Sequence, residues 1–260
     1  MNFNRNQLPT LAITLIGGAA ILHGPIAQWT DYHAFADQTV WLGIPHACDV
    51  LSNLGFALIA LWGLMRLAAG TVAPTYGAAG YRLFLIALLL TAFGSGWYHL
   101  APDNARLVWD RLPIALACAG LLAGVRGETH RRPSGVATFW LSLFAVASVG
   151  WWHLTEQAGQ GDLRPYILLQ VAPMVLVPIW QWIGDAPAAE RKAFGWALVL
   201  YAIAKWAELY DHQIAAVTAP LTGHTLKHLL AAAAAAVIVG TVTAPKRKTG
   251  QGAPESAKNR

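Results

Sequence analysis

Charge is scarce in this sequence. Only 12% of its 260 residues are Asp, Glu, Lys or Arg, while 56% are hydrophobic, and the mean hydropathy is +0.43. An ordinary soluble domain carries charge on about a quarter of its residues, so this composition excludes one and places the chain in a bilayer. Cysteine is nearly absent too. Cys48 and Cys118 lie in different apolar segments and belong to no CxxC or other ligand spacing, which excludes a disulfide framework. Long polar connections are missing, so nothing between the apolar segments is long enough to fold alone. An acidic surplus is also lacking, since the formal net charge is +5. The basic residues sit between apolar runs or in the tail at Lys246 to Lys248, where membrane topology accounts for them. Nucleic acid is therefore not an expected partner; the lipid bilayer is.

What is present is a series of eight apolar segments, at about residues 8–26, 47–69, 80–100, 108–125, 135–154, 164–183, 194–214 and 222–243. Each is close to the roughly 20 residues that a spanning helix needs. The fold expected is an all-α polytopic membrane protein: a seven-helix core over residues 47–243, preceded by one hydrophobic helix and an outer loop (1–46) and followed by a disordered basic cytoplasmic tail (244–260). The first segment, with Arg5 ahead of an apolar stretch ending near Leu22, reads as an anchor or as a secretory signal. The anchor is the better reading, because HGPIAQW is a poor cleavage pattern, and either reading leaves seven spans in the same orientation.

With the amino terminus inside, the inner connections carry Arg5, Arg66, Arg82, Arg126, Arg131, Arg132, Arg191, Lys192 and the terminal KRK, while the outer ones carry chiefly Arg106, Arg111 and Arg164. This bias sets both termini on the cytoplasmic side. Trp29, Trp41, Trp97, Trp109, Trp151 and Trp152 map to the outer ends, as an interfacial aromatic belt would place them.

Ionisable side chains in membrane helices are costly, and each is a functional candidate. Ser95 and His99 share a helix face at i and i+4 in GSGWYH. Asp110 opens the fourth span in WDRLP, and His224 and His228 form HTLKH near the outer start of the eighth. An HxxxH pair aims two imidazoles at one point, and a third histidine from a neighbouring helix completes the three-ligand set that leaves one zinc position open. A lone HxxxH is a weak signal. Two histidine sites at matching depth, with a serine and an aspartate beside them, are stronger.

At these residues the sequence resembles the alkaline ceramidase family, within the membrane hydrolase superfamily that includes the adiponectin and progestin receptors. The resemblance rests on SNLGF at Ser52 to Phe56, GSGWYH ending at His99, WDRLP at Asp110, AKWAELYDH at Ala204 to His212, and GHTLKH ending at His228. It extends over the seven spans from about residue 47 to 243. It implies a seven-helix core holding zinc through His99, His224 and His228, with Asp110 and Ser95 beside it, and hydrolysis of the N-acyl bond of ceramide or a related membrane lipid. The first span would be an addition outside that core. In eukaryotic ceramidases an acidic cluster before the core binds calcium. Here His46 stands where an acidic ligand belongs, the preceding stretch offers only Asp31 and Asp37, and calcium is doubtful.

Lys205, Glu208, Asp211 and His212 recur at helical spacing in the seventh span. Lys205 and Glu208 read as a mutually neutralising buried pair or as substrate contacts, and Asp211, His212 and Glu208 as partners behind the metal ligands. Asp49, Ser52 and Asn53 could hydrogen-bond between helices. His23, His33, His130 and His153 have no comparable company. Two rival functions remain open from the residues alone: a non-catalytic receptor or sensor with a structural zinc, and a transporter or electron carrier using the histidines for protons or haem.

Overall fold

The computed structural model describes residues 4–69 and 76–244, and the tail expected to be disordered falls almost wholly outside them. The protein is an all-α polytopic membrane protein. Among the described residues six helices are long and apolar enough to cross a membrane, and the sole sheet is a two-residue hairpin pairing Val40–Trp41 (β1) with Ile44–Pro45 (β2).

Helix α1, Leu8–His23, has 16 residues and none of them is buried. At 1.5 Å per residue it is about 24 Å long, short of the hydrocarbon thickness of about 30 Å. The expected end near residue 26 is not reached because Gly24, at φ 82°, turns the chain out of the helix. The second span is two helices, α2 (Ala47–Ser52) and α3 (Leu54–Ala68), separated at Asn53. The break has a local cause. The Ser52 hydroxyl and the Asn53 amide both donate to the Asp49 carbonyl, at 2.9 and 2.8 Å, and the Asn53 N–H bonds back to Val50 instead.

Helices α4 (Ala78–Leu100) and α5 (Asn104–His130) form the most intimate pair. Their backbones touch through glycine: a Cβ at Gly120 would come within 2.6 Å of the Phe84 nitrogen, and one at Gly94 would collide with the Trp109 carbonyl. Small residues permit such approach between membrane helices. Because α5 starts at Asn104, capped by the Asp103 carboxylate at 2.7 Å from the Arg106 N–H, Asp110 lies in its second turn and does not open it.

Helices α6 (Gly135–Gln157) and α7 (Arg164–Ile183) pack on α5. Helix α8 (Ala188–Leu209) is 22 residues long, but Glu190, Arg191, Lys192, Lys205 and Glu208 make it more polar than the six. The expected continuous segment 194–214 is interrupted at Tyr210, after which the short α9 (Asp211–Thr218) turns away. Helix α10 (Gly223–Val242) leans on α8 and α3.

Two expectations at the outer end are corrected. Trp29, Trp41, Trp97, Trp109 and Trp151 face outward, but Trp152 is wholly buried. Arg111, expected among the outer loop cations, is buried with it: its guanidinium lies 4.0 Å from the Trp152 ring centroid, with the Tyr32 and Tyr166 rings at 5.0 and 5.5 Å. The aromatic faces attract the cation, so this arginine is packed into the bundle and does not mark a loop.

Candidate metal centre

Two helices carry the centre. His99 comes from the last turn of α4, and His224 and His228 from the first two turns of α10. All three are buried, with at most 4% exposure, and their candidate ligand nitrogens lie within 4.8 Å of one another. The ring centroids are 4.7 to 5.0 Å apart. Among the described residues, this is the group of His, Cys, Asp and Glu side chains arranged to hold a metal ion.

The donor set fits a metal. Nε2 of His99 and Nε2 of His224 face each other at 3.2 Å. Two nitrogens bound to one zinc at about 2.0–2.1 Å in tetrahedral geometry stand roughly 3.3 Å apart, so little movement would be needed. The third ring is oriented from behind. Ser52 gives its hydroxyl hydrogen to the Asp49 carbonyl and so receives one from Nδ1 of His228, 2.8 Å away. His228 then keeps its lone pair on Nε2. Such outer partners fix the tautomer and the ring angle of metal-binding histidines.

Two further contacts lock α10 into place. The Asp211 carboxylate accepts the His224 backbone N–H at 2.7 Å with one oxygen and the Ala36 N–H at 2.9 Å with the other. It supports the chain around His224 and does not bond the ring. Asp49 accepts the Thr225 hydroxyl at 2.5 Å. Gly223 is required here, because a Cβ would collide with the Ala207 carbonyl and press on Asp211.

Ser95 and Asp110 lie close together across the tight α4–α5 contact. Both line a cavity of about 270 Å³ that also touches His228. Below this polar mouth the walls are apolar, and along α10 they run from His228 to Ile238. Ten helical residues correspond to about 15 Å.

Glu208 is at the site, but not as half of an isolated buried pair. It bonds Lys205, whose side chain is half-exposed, and also Lys227 at 2.9 Å. Its other near neighbour is Nδ1 of His224, at 4.0 Å. His212, expected behind the ligands, is exposed and hydrogen-bonds the Ala34 carbonyl at 2.9 Å. It belongs to the attachment of the outer loop.

Several residues at the site were not among those expected. Phe35 lies against His99 and His224 with centroids at 4.8 and 4.3 Å, closing the centre from the outer loop. His33, expected to be without company, bonds the Tyr98 hydroxyl at 2.8 Å and Asn104 at 2.9 Å, tying that loop to the residue before His99. Lys227 lies within HTLKH itself, and its charge inside an apolar helix was the available signal. Asp37 spends its carboxylate on Thr39 and the Asp49 N–H.

The chain matches no protein-family model, no curated protein and no solved structure.

Proposed function

We propose that the protein is a zinc-dependent membrane hydrolase that cleaves the N-acyl bond of ceramide or a related lipid, releasing fatty acid and amine. The observation that carries this reading is the placing of Ser95 and Asp110 beside three converging histidines at the mouth of an apolar cavity. A structural metal has no use for that serine, that aspartate or that cavity. The resemblance to alkaline ceramidases points the same way.

His99, His224 and His228 would hold the zinc. When bound, zinc supplies Lewis acidity, polarising a carbonyl and acidifying water. The protein's own residues do the rest. The apolar wall between His228 and Ile238 takes the acyl chain and sets the amide at the polar mouth. Asp110 accepts the proton of the attacking water and hands it to the departing amine. Ser95 donates a hydrogen bond to the carbonyl oxygen as charge develops there. Phe35 limits access of bulk water from the outer side. The positive-inside bias sets the centre at the outer face, which for a bacterial inner membrane is the periplasmic one.

The test is to purify the protein in detergent, determine bound metal, and incubate wild type and His224→Ala with a panel of N-acyl lipids while following free fatty acid by mass spectrometry. About one zinc per chain with release by wild type alone supports the proposal. Zinc without release from any lipid favours a receptor or sensor, and absence of metal overturns the centre.

A further inference from the structure

The half-buried lysine between the two α10 histidines is unexplained by amide hydrolysis. Lys227 lies in the cavity wall, its side chain 19% exposed. Its ammonium has three N–H donors and no acceptor. One donor meets Glu208 at 2.9 Å and another meets Nε2 of His224 at 3.1 Å. That Nε2 lone pair is the one a metal would take. Once it is taken, Lys227 retains Glu208 alone, and Glu208 is already shared with Lys205. A cation with donors unspent at the polar end of an apolar cavity is costly unless an acceptor arrives.

The charged side chains that line the cavity, Lys205 and Lys227 against Glu208 and Asp110, balance one another. An anion brought to Lys227 therefore competes with Glu208 for its donors.

We infer that Lys227 is a recognition residue for an acidic group carried beside the scissile amide, so that the site takes N-acyl amphiphiles whose amine half bears a carboxylate or a phosphate. This names the substrate class of the hydrolase proposed above and rests on that reading for its catalytic meaning. The recognition itself needs no turnover. A charge-assisted hydrogen bond in a dry site is the interaction invoked, and lysine meets phosphate or carboxylate as a point charge.

The test uses a minimal pair, N-palmitoylglycine and its methyl ester, which share chain and amide and differ by one charge. Binding to the full-length protein in detergent is measured by calorimetry, with the metal present and after chelation, for wild type, Lys227→Met and Glu208→Gln. Wild type is expected to favour the acid about tenfold with the metal present and by less after chelation, when Nε2 of His224 again accepts from Lys227, with N-palmitoyl ethanolamine phosphate competing equally well and palmitate more weakly. Lys227→Met should lose the preference yet bind the ester as before, which shows an intact cavity. Glu208→Gln should widen the preference, since it frees the ammonium from its partner. Absence of a preference in wild type, or its survival in Lys227→Met, overturns the inference. So does a preference that vanishes on chelation alone, which would make the metal the anion receptor. If the preference holds but zinc-loaded wild type releases no palmitate from N-palmitoylglycine, recognition stands and the hydrolase reading falls.

Discussion

The Nδ1 nitrogen of His228 is hydrogen-bonded at 2.8 Å to the hydroxyl of Ser52, a residue 176 positions earlier in the chain. The serine's own hydrogen is committed to the Asp49 carbonyl, so the bond has one direction only. It breaks the second span at Asn53 and, by the same act, aims a ring on α10.

Ser52→Ala should therefore leave the protein folded but weaken its hold on zinc by roughly 10–100-fold, the usual cost of removing an outer partner of a metal ligand. Competition against a chromogenic chelator reads this directly. Unchanged affinity would mean that the Ser52 hydrogen bond does not orient the His228 ring for the metal.

Asp110→Asn should reduce fatty acid release by about 10²–10⁴-fold, the range for removing a proton-transfer group, with the zinc content unchanged. Zinc lost together with activity would assign Asp110 a structural part. The carboxylate and the amide have nearly the same shape, so packing across the α4–α5 contact is preserved.

Gly94→Ala tests that contact. A Cβ there collides with the Trp109 carbonyl, and the helices must part at the level where Ser95 faces Asp110. Overpacking of this kind costs about 1–3 kcal/mol. A fall of several degrees in the unfolding temperature is expected, accompanied by reduced turnover. Gly150, with nothing near its virtual Cβ, serves as the control for helix propensity.

The outer connection between α6 and α7 supplies a pH dependence. Burial works to raise the Asp162 carboxyl, but hydrogen bonds from the Arg164 side chain, the Trp151 indole and the Arg164 and Ile26 backbone together hold it well below the usual aspartate range. A carboxyl whose pKa is lower in the folded state contributes stability that is complete above the unfolded pKa of about 3.9 and is lost as pH falls through and below it. Wild type should lose thermal stability between about pH 5 and pH 2 more steeply than Asp162→Asn. Parallel curves would remove Asp162 from the account.

Much of the centre was legible in the sequence because its parts are local. Ser95 with His99 and His224 with His228 are each pairs at i and i+4, and helical periodicity alone puts each pair on one face. The fold class was legible for the same reason, since long apolar runs have one outcome in a bilayer. What stayed hidden depends on which helices meet. Ser52 finds His228, and Phe35 finds His99 and His224, only once α2, α4 and α10 are packed together. Trp152 differs from Trp151 by one position, hence by about 100° around α6, and that rotation decides between the belt and the interior. The interruption at Tyr210 was concealed because its cause, the capture of Asp211 by Ala36 and His224, lies in two distant segments.

The glycine contact between α4 and α5 also divides the molecule mechanically. Where two backbones touch, neither helix can slide or roll without collision, so Ser95, His99 and Asp110 ride on a single rigid keel. Helix α8 has a fixture of its own at the site end, where the Ala207 carbonyl abuts Gly223 of α10, so that Glu208 and His224, each the next residue along, are carried together as a second fixed unit.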